Sequence, residues 1–304
     1  MNILCIILAL LLAPLLTGIV NQTKAFFAGR RGLGFFRLYA DLWKYLHKSC
    51  LRPTPSTWIF DLAPIITLAS TIAAAVVFPW TSSSFMPTAA ISAAVFFYLL
   101  GVGRFFTVLG ALDAGNAFEG MGASREVQFS ALVEPIVFVI LGFLTILTGE
   151  TSITAMLNGI SASDWVRYIA PISLIALAFF AVLLSENSRV PFDDPETHLE
   201  LTMIHEAMLL DVGGPDLAFA LYAAALKLEL MAAFFVLLFI PNFGDSALLR
   251  AAQVFIGTLA MGVIIGIVES TMARMRFLKT PQALMGAMLV AALAVFLIIK
   301  WLLQ

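Results

Sequence analysis

Eight stretches of this sequence, near residues 2–20, 59–80, 87–110, 127–148, 166–185, 217–240, 247–268 and 281–302, are apolar almost without interruption. Each is long enough, as a helix, to cross a hydrocarbon layer of ~30 Å. In that solvent every backbone polar group has to be bonded within the protein, which a helix achieves inside its own segment. The eight runs leave little of the 304 residues for anything else: 61% are hydrophobic and 12% charged, against ~25% charged in soluble domains. A water-soluble globule is excluded, and so is a disordered chain, which needs low hydrophobicity and high net charge. The expectation is an all-α integral membrane protein. Residues 1–304 form one membrane domain of about eight transmembrane helices, with an amphipathic interfacial helix after the first.

Basic residues orient it. The first run has no positive residue before it and is followed by Lys24, which reads as an anchor with its N-terminus outside and not as a cleaved signal peptide. On that reading the cytoplasmic loops hold twelve basic residues: Lys24, Arg30, Arg31, Arg37, Lys44, Lys48, Arg52, Arg125, Arg189, Arg274, Arg276 and Lys279. The opposite side holds three, Arg167, Arg250 and Lys300. This is the asymmetry the positive-inside rule demands when both termini lie outside.

Two of the cytoplasmic loops are too long to be connectors. Loop 21–57 interleaves its basic residues with Phe26, Phe27, Phe35, Phe36, Leu42 and Trp43. From Phe35 to about Lys48 the apolar positions recur at three and four, which fits an interfacial helix resting on anionic lipid or docking a partner through residues such as Arg30 and Arg31. Loop 186–216 reverses the charge: Glu186, Asp193, Asp194, Glu196, Glu200, Glu206, Asp211 and Asp216 stand against Arg189, with His198 and His205 among them. Pro191 and Pro195 break any helix at its start, Glu196 to about Leu210 can be helical, and Gly213-Gly214-Pro215 ends it. An acidic run is ordinarily a solvated face. Here Val190, Phe192, Leu199, Met203 and Ile204 interrupt it, and a loop this apolar calls for cover.

Four ionisable residues, Arg104, Glu134, Lys227 and Glu229, fall inside apolar runs, where a charge costs at least ~2.5–3.5 kcal/mol. The Glu134 carboxyl lies beside Pro135, whose ring frees a helix carbonyl able to hold water. That suits a proton relay; the competing reading is an ion pair with Arg104 or Arg125 that locks helices together. Lys227 and Glu229 are about 200° apart around a helix and face different neighbours. Asp113, Glu119, Arg125 and Glu126 flank the Gly-rich GNAFEGMGAS, either a mobile segment or a loop with helix caps. Metal chemistry has little to build on. His198, His205 and Glu206 make no HExxH, and Cys5 and Cys50 offer neither zinc spacing nor a disulfide framework. Nucleotide loops and nucleophile elbows are absent too. No autonomous catalysis is expected.

These residues carry a resemblance. ENSRVPFDDPETHLEL at 186–201 resembles the ExNRxPFDxPExxxEL stretch of the membrane subunit shared by respiratory complex I, where it is called subunit 1, and group 4 membrane-bound NiFe-hydrogenases. GRRG at 29–32 with ADLWK at 40–44, GRFFTVLGALDAG at 103–115, GASREVQFSALVEP at 122–135 and MARMRFLKTP at 272–281 resemble the same family in the same order, so the resemblance covers nearly the whole chain. GALDAG, GASRE followed by LVEP, and ETHLELTMIHE are most similar to the formate hydrogenlyase and hydrogenase-4 branch. Quinone-reducing members usually continue with a tyrosine- and glutamate-bearing segment, where this sequence has TMIHEAMLLDVGGPDL.

The resemblance implies a subunit of the cell's inner, cytoplasmic membrane. Its loops 21–57 and 186–216 would grip a peripheral arm made of the hydrogenase large subunit and iron–sulfur subunits, which hold the NiFe and iron–sulfur centres. It would bind no cofactor and no metal itself, and would couple that redox chemistry to proton or sodium movement alongside antiporter-like membrane subunits. By motif, Glu134 matches the glutamate of the family's acidic channel and Arg125 the arginine before it. Glu186, Arg189, Asp193, Glu196 and Glu200 match the charged loop beneath the redox module. Together the readings give Glu134, Glu186, Asp193, Glu196, Glu200, Lys227 and Glu229 as relay or coupling residues. Arg104, Arg125, Arg189 and Asp113 are structural ion-pair residues, and Arg30, Arg31, His198, His205 and Glu206 are docking residues. Three rival functions are a quinone-site subunit of an NADH:quinone oxidoreductase, a free-standing ion transporter using Lys227 and Glu229, and a passive anchor.

Overall fold

A computed structural model describes residues 2–50, 52–81, 92–160, 162–193, 204–240, 247–276 and 279–303. Among these residues the only regular elements are helices, and the sole extended pairing is an isolated bridge between Ser92 and Ser152. Eight helices are long and apolar enough to cross a membrane: α1 (Asn2–Phe27), α3 (Trp58–Val77), α4 (Ala93–Asp113), α5 (Ala117–Thr148), α8 (Ile169–Glu186), α9 (Gly214–Phe239), α10 (Ala247–Thr271) and α11 (Thr280–Leu302). The protein is a multi-pass, all-α membrane protein. Between them lie α2 (Arg37–Leu46) and the short α6 (Ile153–Gly159) and α7 (Ala162–Arg167).

The helix ends depart most from the sequence reading where charge was taken as a boundary. α5 starts ten residues before the expected 127, because Asn116 caps it by accepting from the Phe118 amide at 3.1 Å and the Gly-rich stretch is helical. At 32 residues it measures roughly 48 Å by helical rise, longer than the ~30 Å hydrocarbon layer, so one end stands clear of it. α2 is the expected amphipathic helix, running from Arg37 to Leu46 with no buried residue. Of the helix expected over Glu196 to Leu210, residues 194–203, and with them Glu196, His198 and Glu200, lie outside the described residues. The remainder is a single 3-10 turn, Glu206–Leu209.

α9 is the axis of the bundle. It is the most enclosed spanning helix and packs against α1, α2, α3, α8 and α10. Its Phe234 stacks on Phe96 of α4 with ring centroids 5.7 Å apart and meets Phe179 of α8 at 5.3 Å, an arrangement that buries large apolar rings at low conformational cost. α3 and α4 come closer than side chains normally permit: a Cβ on Gly110 would stand 2.7 Å from the Ala63 Cβ. Small residues allow such contact in membranes, where packing and not hydrophobic exclusion holds helices together. α11 lies outermost, leaving Leu289, Leu293 and Phe296 exposed, as a lipid-facing surface should.

The connections after α2 and α8 meet the end of α4 and the starts of α3 and α9 at one end of the bundle. Asp113 at the end of α4 accepts from the Thr57 and Phe60 amides at 2.7 and 3.1 Å, so it caps α3. Cys50 donates to the Gly213 carbonyl at 3.4 Å, tying the first long connection to the start of α9. The Gly122 Cα faces the Ile204 carbonyl so closely that a Cβ would sit 2.9 Å from it. The connection between α8 and α9 is thus folded down onto α5.

Candidate functional site

Four helices each contribute one charged side chain to a cluster where α8 ends. Glu186 is the last residue of α8, whereas sequence boundaries placed it first in the loop. Its carboxylate accepts from Arg104 of α4 and from the Lys227 ammonium of α9, the latter at 2.8 Å. Lys227 also donates to the Glu186 main-chain carbonyl at 2.7 Å, where the helix dipole places negative charge. The other arm of the Arg104 guanidinium reaches Glu134 of α5 at 2.6 Å. The planar fork of an arginine is suited to joining two carboxylates this way. An unbroken row, Lys227–Glu186–Arg104–Glu134, results.

The row runs from the centre of the bundle to its flank. Arg104 and Glu186 side chains are each 12% exposed, but that of Glu134 is 56% exposed. A pocket opens beside them, lined by Tyr98, Gly101, Arg104, Glu134, Phe138 and Glu186 among others. Glu134 is thus paired to Arg104, one of the two partners expected for it, and it also lines an opening. Glu126, two helical turns before it, is within electrostatic reach of Arg104 and Lys227. From sequence it is noted only as flanking the Gly-rich stretch, with no site role, because it stands beside Arg125 in what looks like a loop. Arg125 is half-buried at the polar start of α5.

A second network holds the connection after α8. Glu269 of α10, its side chain fully enclosed, faces Arg189 at 3.4 Å and Lys24 of α1 at 3.1 Å. Asp193 accepts from Arg274 at 2.9 Å and from the His205 amide at 3.2 Å. The Met275 amide adds a bond to the Pro191 carbonyl at 3.0 Å. Glu269 and Lys24 were missed as site residues since span seven was ended at 268, one residue before the glutamate that matters. The signal available was its spacing from Ser270 and Thr271, polar residues that still continue a helix.

Beyond these, Glu119 is buried and accepts from the Asp211 amide at 3.0 Å, while Asn116 donates to the Asp211 carboxylate at 3.2 Å. His205 is turned inward: its Nε2 is enclosed without a hydrogen-bond partner. Burial first, then the positive charges of Lys227 and Arg189, hold its imidazole down at about 4. Arg30 and Arg31 are exposed, next to Gly29 in a left-handed turn. Glu229 takes no part in the row.

The depressed imidazole has a consequence with a definite sign. In the unfolded chain His205 takes up its proton near ~6.5; in place it does so only at about 4. Its contribution to stability is therefore complete above ~6.5 and disappears as pH falls toward about 4. The protection of amides across residues 204–212, relative to their intrinsic exchange at each pH, is expected to fall between those limits in the wild type and to lose that pH dependence in His205→Gln.

Among the described residues no group of three or more His, Cys, Asp and Glu side chains is placed to hold a metal ion. What the cluster can do is hold and pass protons, or displace cations among carboxylates.

Comparison with known proteins agrees with this architecture. The sequence profile of the NADH dehydrogenase family matches residues 1–300. Hydrogenase-4 component C of Escherichia coli (strain K12) is 33% identical over 95% of this chain and 92% of its own length. Formate hydrogenlyase subunit 4 of the same organism is 30% identical over 89% of each. A subunit of the NADH-quinone oxidoreductase of Pelagibacter ubique (strain HTCC1062) is 25% identical over 63% of this chain and 60% of its own. The fold is also that of a chain in the membrane-bound sulfane sulfur reductase, an archaeal respiratory membrane complex, with a TM-score of 0.86, 20% identity and 98% of both chains covered. By profile, by relatives and by the order of its helices, the chain belongs to the NADH dehydrogenase family, as a membrane subunit akin to subunit 1 of complex I.

Proposed function

We propose that this chain is the membrane-anchoring and coupling subunit of a membrane-bound NiFe-hydrogenase complex of the formate hydrogenlyase type. The relatives that are 33% and 30% identical are components of hydrogenase-4 and formate hydrogenlyase, which favours this branch over quinone reduction. In this reading the charged end faces the cytoplasm and both termini face outward across the inner membrane. The connections within 21–57 and 186–216 dock a hydrogenase large subunit and iron–sulfur subunits, and antiporter-like subunits lie alongside. The NiFe and iron–sulfur centres belong to those partners and supply the redox step.

The observation that carries the proposal is the row Lys227–Glu186–Arg104–Glu134, which links the loop of Arg189 and Asp193 to the flank of the bundle. A proton delivered to Glu186 removes its charge and frees Lys227 and one arm of Arg104. Arg104 then serves Glu134 alone. The proton then passes from Glu186 to Glu134, Arg104 and Lys227 return to the Glu186 carboxylate, and Glu134 gives the proton up to water at the opening on the flank, which restores the row. A structural lock would need none of these groups to titrate.

Glu134→Gln keeps the shape of the side chain and its bond to Arg104 while removing titration. The complex is expected to assemble and evolve hydrogen, with the number of protons translocated per hydrogen reduced by at least half. An unchanged proton-to-hydrogen ratio in sealed vesicles would refute the relay.

A further inference from the structure

α1 is 26 residues long, roughly 39 Å by helical rise, so it overhangs a ~30 Å hydrocarbon layer by ~9 Å at most. The chain that follows does not leave it. It turns at Gly29, in the left-handed region, and folds back along the same helix: Gly32 meets the Gln22 side chain, and the Phe35 carbonyl lies against Gly18. Tyr39 of α2 goes further and donates to the Leu11 carbonyl. Gly18 is roughly 13 Å and Leu11 roughly 24 Å from the last residue of α1. Both distances exceed the whole overhang, so the fold-back lies beside a part of α1 that hydrocarbon surrounds.

Its outward side is apolar. Leu33, Phe36 and Trp43 are 78%, 70% and 69% exposed, with Phe36 and Trp43 two helical turns apart on one face. A partner docked beyond the helix ends does not reach this depth, whereas lipid chains already occupy it. The tip of the fold-back is basic. Arg30 and Arg31 follow the end of α1 by three and four residues; both are exposed and form no ion pair among the described residues. Asp41, the one acid within 28–46, is held by Arg37 at 2.9 Å. Uncompensated cations at headgroup level, with exposed rings beneath them, suit the phosphate and the chains of one lipid together.

We propose that residues 28–46 are a binding surface for an anionic phospholipid, with Arg30 and Arg31 on its phosphate and Leu33, Phe36 and Trp43 against its chains. The guanidinium fork suits a phosphate as it suits a carboxylate. The headgroup fixes the turn, and the turn, through Gly32 and Phe35, fixes the start of α2, none of whose own residues is buried in the bundle. A neutral lipid supplies the chains but leaves both arginines without an anion. The peripheral arm keeps the rest of the first connection, and the assignment stands whatever redox chemistry that arm carries.

Hydrogen–deuterium exchange across 28–46 in the assembled complex tests it, at one pH, in nanodiscs of phosphatidylcholine and in nanodiscs that also contain phosphatidylglycerol. Wild-type exchange is expected to be at least about fivefold slower with phosphatidylglycerol, the worth of a single basic residue at an anionic surface, and to lose that slowing in high salt. Arg30→Gln/Arg31→Gln is expected to match the wild type in phosphatidylcholine and to gain nothing from phosphatidylglycerol. Equal wild-type exchange in the two lipids would overturn the proposal, whether a protein partner covers the surface or nothing does. So would a slowing that survives in the double variant, or one that soluble glycerol phosphate reproduces over phosphatidylcholine. If the double variant does not assemble, salt decides on the wild type: a slowing that high salt leaves untouched overturns the proposal, and one that it removes supports it.

Discussion

Arg104→Met is expected to destabilise the protein by about 3–5 kcal/mol, the cost of taking one partner from a buried ion pair, seen as a sharply reduced yield of assembled complex and a lower thermal midpoint. The size follows from what is left behind. Glu186 keeps Lys227 at 2.8 Å, but Glu134 loses the cation it is paired to and lies at membrane depth with its charge uncompensated. The loss should therefore be strongly non-additive. Glu134→Gln introduced into Arg104→Met removes the stranded charge, and the double variant is expected to recover about half of the deficit. Arg104→Lys tests the geometry in another way: one ammonium cannot span two carboxylates as a guanidinium does, so this variant is expected to fall between wild type and methionine. If the double variant were as impaired as the sum of its parts, Arg104 would be packing α4 and not bridging charge.

Most of the fold was legible because lipid imposes a simple rule on sequence. Runs of apolar residues of sufficient length became helices in every case, and the 3.6-residue spacing after Phe35 became α2. What could not be read was where a helix stops when its last turns carry charge. Glu186 and Glu269 were taken as the first loop residues, yet both lie within their helices, because cations such as Arg104 of α4 and Lys24 of α1 meet them there. The Gly-rich start of α5 misled in the same sense: Asn116 caps it, and its glycines admit the Ile204 turn instead of breaking the helix.

For the site, cost was the useful signal. Arg104, Glu134 and Lys227 stood out since charge in an apolar run needs a reason, and the structure brings them to one carboxylate, Glu186. Pairing itself was not readable. Lys24 and Arg274 counted only toward orientation, although they hold Glu269 and Asp193. Partners 80 or more residues apart, such as Arg189 with Glu269, leave no local periodicity for a single sequence to display.

Glu269→Leu carries the second large effect. The side chain is fully enclosed between Lys24 and Arg189, so removing it takes the carboxylate from a buried guanidinium and one partner from Lys24. A loss of about 3–5 kcal/mol is expected, concentrated in the segment 187–193, which the ion pair holds to α10. The Met275 amide, bonded to Pro191 at 3.0 Å, should lose its exchange protection with it. Adding Arg189→Met removes the uncompensated guanidinium and is expected to restore part of the midpoint without restoring the Met275 protection. This distinction matters for coupling. Glu186 and Arg189 are three residues apart, one in the charged row and the other in the clamp, so a displacement of the clamp reaches Glu186 through less than one turn of chain. A docked partner that pulls on the loop therefore acts on the row almost directly. Glu269→Leu, by slackening that link, should lower the proton-to-hydrogen ratio even in the complexes that assemble, with the row itself intact. A ratio equal to wild type in those complexes would show that the clamp only holds the loop and passes nothing on.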